Sequence, residues 1–322
     1  MRKYMLESAV FLCGAAVMIY ELIGSRMLAP YLGTSLIVWT SLIGVILASL
    51  SIGYWYGGRI ADRKAEAVIF SRIIFFAGML IGLTTYLYYD LLFMISHAFS
   101  NLMAKSFIST VLLFVAPSIL LGMISPYAVK LKVKELSDMG RGVGNLYALS
   151  TAGSIGGTFL AGFVLIPHLG TNAVLKVLSV LLAVCSLFCL PRRQMKEGVA
   201  LFLVFLAIHA GAGFLSRKYA IQDWILDTDT QYSRIQISDD LYNLRWVRLM
   251  KINGQLSSGM FRSDPDLLIP YTKYYRLAAH FNPGLKKALM IGGAGYVYPM
   301  DFLDRNGNAS LDVVEIDPKV TE

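Results

Sequence analysis

The stretch "KKALMIGGAGYVYPMDFLDRNGNASLDVVEIDP", Lys286 to Pro318, decides how the last third of the chain is read. "ALMI" is an unbroken apolar run, as a parallel strand buried on both faces requires. "GGAG", Gly292 to Gly295, allows a sharp turn in which the backbone can approach a ligand with no Cβ in the way. A helix expected near 296–305 would present unpaired N–H groups and a partial positive charge at its start. "LDVVEID" then predicts a second buried strand over 310–316, with Glu315 at its carboxyl end. An acid about 20 residues beyond such a turn is placed to accept hydrogen bonds from both hydroxyls of a ribose.

Working upstream, residues 232–239 ("YSRIQISD") and 244–252 ("LRWVRLMKI") alternate in polarity and predict strands. "NGQ" at 253–255 marks a turn. Residues 266–281 carry a helical pattern ending in "HFNPG". A small β unit, 216–285, therefore precedes the opening of an α/β domain, 286–322. The G-x-G-x-x-G of dinucleotide folds is not matched. The shorter glycine turn followed by "VEID" is closer to a Rossmann-like domain of the S-adenosylmethionine type. Gly292, Gly293, Gly295 and Glu315 form the candidate nucleoside set, and a fold remnant that binds nothing is the alternative.

The rest of the chain belongs to lipid. Of 322 residues, 56% are hydrophobic and 16% charged, against about 45–50% and about 25% in soluble domains. Mean hydropathy is +0.58. The excess falls in residues 1–215, where about seven spans of near 20 apolar residues can be drawn. They run roughly over 5–24, 35–56, 68–90, 107–128, 143–166, 172–190 and 198–215. Residues 91–105 are too polar for another span; they either extend the third helix or lie at the interface. The fold class expected is a multi-span α-helical membrane bundle followed by the small β unit and the Rossmann-like half.

The net charge of +8 does not point to nucleic acid, because the basic residues sit in short connections between spans. Arg59, Arg63, Lys64, Arg72, Lys130, Lys132, Lys134, Arg141, Arg192, Arg193 and Lys196 share one side with Arg2 and Lys3. Only Arg26, Lys105 and Lys176 fall on the other. Such a bias puts the N-terminus in the cytoplasm, and seven crossings then leave the C-terminal region outside. The expected setting is a cell membrane crossed many times. No cleavable signal peptide is evident. Cys13, Cys185 and Cys189 lie in apolar stretches without metal-ligand spacing and predict packing, not a metal site.

Some features of the spans carry two readings. Gly153 and Gly157 form a G-x-x-x-G pair, which serves close packing within the chain or else a homodimer. Glu21, with Arg26 five residues on, is a structural ion pair or a transport residue. "GYWYGGRIADRK", Gly53 to Lys64, resembles the short loop between helices in major-facilitator transporters, although seven spans are too few for that fold.

A second resemblance covers nearly the whole chain. From about 225 onward, "QYSRIQI", "LMKINGQLSS", a Tyr-rich helix ending in His280, "ALMIGGAG" and "VVEIDP" resemble the N-terminal half of a spermidine synthase, the polyamine aminopropyltransferase family. "YELIGSRMLAPYLGTS" and "GGRIADR" resemble the multi-span region fused ahead of such domains in some bacterial proteins. The resemblance implies decarboxylated S-adenosylmethionine as co-substrate, with no permanently bound cofactor, and a small-molecule amine as acceptor. It implies that Glu315 holds the ribose and that Gly292, Gly293 and Gly295 line the methionine-derived end. Tyr232, Tyr274 and His280 would lie near the substrate groove. The two tyrosines read equally as packing residues, and His280 as a helix-closing cation.

Departures from that pattern are specific. Gly295 stands where the family's glycine loop has an aspartate, Ser233 follows the matching tyrosine in place of glutamine, and Asn253 replaces the aspartate of "LDG". Arg276 replaces a glutamate and would repel a diamine. The family's catalytic aspartate loop is expected beyond residue 322, so these residues alone are expected to be inactive. A transporter or a polyamine or nucleoside sensor with a degenerate domain, and an S-adenosylmethionine-dependent methyltransferase, are the alternatives.

Overall fold

The computed structural model describes residues 3–132, 139–218, 224–264 and 266–322. Lys134 and Arg2, named above, lie outside them. The chain divides into two units, Met1–Ala220 and Ile221–Glu322.

Among its described residues the first unit is built of helices: α1 (Lys3–Leu32), α2 (Leu36–Arg63), α3 (Ala67–Ala98), α4 (Leu102–Lys132), α5 (Met139–Leu160), α6 (Ile166–Cys189) and α7 (Met195–Lys218), with a π-helical turn at Ala161–Leu165. Six runs are long and apolar enough to cross a membrane, because α5 and α6 join into one run of 50 residues, Gly140–Cys189. At about 1.5 Å per residue that run is too long for one crossing of about 30 Å. Gly170, at φ 72° and ψ 165°, breaks it.

Side-chain register shows that the chain reverses there. Gly153 of α5 meets Phe11 and Gly157 meets Ala15, so α5 runs parallel to α1. Tyr88 of α3 bonds Asn172, Ser179 bonds Gly78 and Ser71 bonds Ser186, so α6 runs antiparallel to α3. Tyr20 of α1 meets Leu113, and Glu7 meets Lys132, which makes α4 antiparallel to α1. Phe75 and Gly82 of α3 meet Phe205 and His209, so α7 parallels α3. The seven segments therefore alternate in direction. Residues 91–98 extend α3.

Small residues let these helices approach closely, as is usual in helices apolar enough to cross a membrane. A Cβ on Gly153 would sit 2.0 Å from the Phe11 carbonyl oxygen, so the G-x-x-x-G pair serves α1 against α5. The Gly53–Lys64 stretch, read above as a connecting loop, is instead helical to Arg63, with Gly53 and Gly57 buried against α4. Glycine there removes bulk from a helix face. The connection proper is short, and Tyr127 of α4 fixes it by donating to the Lys64 carbonyl at 2.5 Å while accepting from Glu66 N–H. Around these seams lie the buried aromatics Tyr20, Phe70, Tyr88, Phe114 and Tyr127. All three cysteines are buried and free. Among the described residues no group of His, Cys, Asp and Glu could hold a metal ion.

The second unit opens with an antiparallel sheet in the order β1 (Leu226–Asp229), β2 (Arg234–Tyr242), β3 (Arg245–Ile252), β4 (Gln255–Phe261). Asn253 and Gly254, both at positive φ, close the β3–β4 hairpin. The helical pattern expected over 266–281 starts later, because Leu267 pairs back to Met260 as a β-bridge. The helix begins at Pro270, whose fixed φ suits a first helical position. It comprises α8 (Pro270–Lys273), a 3₁₀ turn (Tyr274–Arg276) and α9 (Leu277–Phe281). Then come β5 (Lys287–Ile291), α10 (Val297–Arg305) and β6 (Ser310–Val314), a strand–helix–strand unit with β5 and β6 parallel, closed by α11 (Pro318–Thr321).

Candidate functional site

The site is built where β5 and β6 end side by side. The β5–β6 ladder runs out with Gly292 N–H donating to Val314 carbonyl at 2.8 Å. Gly292 then turns at φ 85°, a conformation glycine adopts without steric cost. Its Cα faces open space: a Cβ there would meet nothing within 4 Å. Gly293 N–H donates to Glu315 Oε2 at 2.7 Å, and Asp317 N–H donates to Oε1 at 3.1 Å. Glu315 is thus aimed into the glycine turn. Burial opposes ionisation of its carboxyl, but the N–H groups of Asp317, Gly293, Ala294 and Ile316 outweigh this and hold it below the usual range. It is a carboxylate at neutral pH, with lone pairs left for further donors.

Gly295 has a different surrounding. A Cβ there would lie 2.7 Å from Ser258 Oγ, so this glycine lets the turn pack on β4. Tyr296, at φ 57°, lays its ring over Gly293 and shares a hydrogen bond with Thr321 of α11 at 2.8 Å. Asp317 is a structural hub. Its Oδ2 accepts from Thr230 Oγ1 at 2.6 Å and from Ser233 Oγ at 3.3 Å, and its Oδ1 caps α11 through Lys319 N–H. Thr230 Oγ1 in turn accepts from the N–H of Tyr232 and of Ser233. The β1–β2 turn carrying Tyr232 is therefore tied to the strand end that carries Glu315.

The structure thus brings Gly292, Gly293, Glu315 and the Tyr232 backbone into one neighbourhood, with Gly295 alongside on β4. Tyr274, 70% exposed, and His280, exposed against Phe281, make no described hydrogen bond to that turn. Asn253 ties its hairpin turn to the start of β2, accepting from Arg234 N–H at 3.0 Å. Arg276 does not offer the free charge expected of it. Asp301 holds its guanidinium through two bonds of 2.6 and 3.0 Å, and Asp266 through one of 3.0 Å. Asp301 is buried and also takes Arg305 at 2.9 Å. Burial works against its charge, yet the two arginines keep its carboxyl below the ordinary range. Arg276 is thus ion-paired rather than free, in a cluster where Lys273 also meets Asp266 at 2.6 Å.

Sequence reasoning missed this carboxylate–arginine cluster and the role of Tyr296. A signal existed for Asp317: an Asp directly before Pro marks a helix start.

Comparison with known proteins agrees with this picture at a distance. No family model and no solved structure matches the chain. A polyamine aminopropyltransferase of Leptospira interrogans is 25% identical over 97% of the chain. Polyamine aminopropyltransferases 2 and 1 of Ralstonia nicotianae are each 22% identical over 98% of it. The chain spans about 62% of the length of the first two. The likeness thus includes the helical unit as well as the sheets.

Proposed function

We propose that the chain is part of a membrane-bound aminopropyl transferase of the spermidine synthase kind, with a Rossmann-like half that holds a decarboxylated S-adenosylmethionine. The observation that carries this is the aim of Glu315 into the Gly292–Gly293 turn, in a chain whose relatives along its length are named for that transfer. A carboxylate gripping a vicinal diol fixes the nucleoside, and the open face of Gly292 lets the sulfonium arm pass the backbone. An amine lone pair then attacks the aminopropyl carbon, the carbon–sulfur bond breaks, and the electron pair leaves on sulfur as a thioether. The amine proton passes to a carboxylate base, and holding both reactants in line supplies much of the rate. Calorimetry on the full-length protein tests the first half: micromolar affinity for decarboxylated S-adenosylmethionine is expected, and no affinity for any S-adenosyl compound overturns the proposal. Mass spectrometry then separates an aminopropylated amine from a methylated product.

The alternation of α1 to α7 supports a sidedness. The ends of α2, α4 and α6 and the starts of α3, α5 and α7 carry the basic cluster, so that face is proposed as cytoplasmic. The last helix then exits on the opposite face. Alkaline phosphatase fused after Glu322 is expected to be active, and a fluorescent protein there dark. That outcome requires donor to be supplied outside the cytoplasm; the reverse outcome removes the requirement and puts one segment out of the membrane.

A further inference from the structure

The hairpin between β2 and β3 has features that the proposed chemistry does not use. Both turn residues, Asn243 and Leu244, have positive φ, 48° and 63°. Such turns favour Asn followed by Gly, and a branched apolar residue there costs about 1–2 kcal/mol of backbone strain. Leu244 is also 91% exposed, and Leu241, Tyr242 and Trp246 are each more than half exposed around it. Leu241 and Trp246 are cross-strand partners, so their side chains share one face. No acid occurs between Leu241 and Leu249. The nearest acid, Asp240, is exposed and accepts from Leu241 N–H at 2.8 Å, and it sits on the sheet face opposite to Leu241 and Trp246. The next ones are paired, Asp239 with Arg248 and Arg262, and Asp264 with Arg245.

A tip of leucine, tyrosine and tryptophan is a residue set that settles at a membrane interface: the rings sit at headgroup level and the apolar groups reach just below. The chain itself supplies the surface. An apolar helix ends at Lys218 and β1 begins at Leu226, a tether that spans at most about 30 Å. We propose that the β2–β3 tip, Leu241, Tyr242, Leu244 and Trp246, inserts into the headgroup–acyl boundary of the bilayer that the helical unit crosses. Insertion takes Leu244 out of water and offsets the strain of its conformation. The proposal rests on the membrane reading of the first unit and is independent of the transfer chemistry.

The test uses the full chain in lipid nanodiscs containing anionic lipid. The native cysteines are buried, so Leu244→Cys gives one accessible thiol for an environment-sensitive fluorophore. Doxyl-labelled lipid is expected to quench it about twofold, with a blue-shifted emission. Tyr242→Cys places the label while keeping Leu244, and adding Leu244→Asp to that variant should abolish the quenching. A label that stays water-like and unquenched in an incorporated protein overturns the proposal. So does a label shielded only by cross-linking to a second copy, which assigns the tip to a homodimer. Failure of the chain to enter nanodiscs overturns the membrane reading itself, and leaves donor binding to be measured separately.

Discussion

Glu315→Gln is expected to weaken binding of decarboxylated S-adenosylmethionine about 100-fold, the largest effect of any single change on the site. The carboxylate keeps Gly293 N–H at 2.7 Å and Asp317 N–H at 3.1 Å, one on each oxygen. A ribose adds two hydroxyl donors, and hydrogen bonds to a charged acceptor contribute about 1.5–3 kcal/mol each. An amide of the same shape loses the charge and turns one oxygen into a donor facing a backbone N–H. A loss of about 3 kcal/mol corresponds to the stated factor. Glu315→Asp keeps the charge but withdraws it by one methylene, and about a tenfold loss is expected from the longer bonds. Because the folded-state carboxyl titrates below its ordinary range, affinity should hold as pH falls through the usual carboxylate range and be lost only beneath it. Glu322→Gln, on an exposed side chain paired with Lys319, is the control and should change nothing. Calorimetry at fixed ionic strength reads all three variants. Unchanged affinity in Glu315→Gln would sink the ribose assignment, and a Gln variant that no longer binds but also unfolds is recognised by its thermal transition.

The strand, turn and acid of this site were legible because each is local. An apolar run, two glycines and an acid at a strand end are fixed by a few consecutive residues, and Gly292 at φ 85° needs no distant partner to be glycine. The neighbours of the site were not legible for the opposite reason. Asp301 and Arg276 stand 25 residues apart, and nothing in either segment says that their charges meet. Gly295 looked like its neighbours in sequence, yet it alone of them packs against Ser258 across the unit. In the helical unit, hydropathy gave the spans and left 167–171 between the fifth and the sixth, where Gly170 breaks the run. The same composition that suggested a loop at Gly53–Arg63 is the composition of a tightly packed helix face. The half-buried pair of Glu7 and Lys132, at 2.9 Å, also joins distant residues and went unread.

Those packed glycines carry the second large effect. Gly53 and Gly44 lie on the same helix, α2, with opposite surroundings. A Cβ on Gly53 would come 2.3 Å from the Ile119 carbonyl oxygen and 2.9 Å from the Gly122 Cα, both backbone atoms that no rotamer change can move. A Cβ on Gly44 would meet nothing within 4 Å. Gly53→Ala must therefore push α2 and α4 apart along their whole seam, which also holds Gly57 against Met123 and Gly122 against Leu50. Overpacking of this kind costs about 1–3 kcal/mol, and the separated helices lose dispersion contacts that lipid does not restore with equal density. Gly44→Ala gains helix propensity of about 0.5–1 kcal/mol with no clash. The two variants should move the thermal unfolding of the purified protein in detergent in opposite directions, with Gly53→Leu failing to fold at all. The contrast matters more than either number. Equal shifts would mean that α2 and α4 are not in backbone contact, and the parallel pairing of these two helices would lose its firmest support.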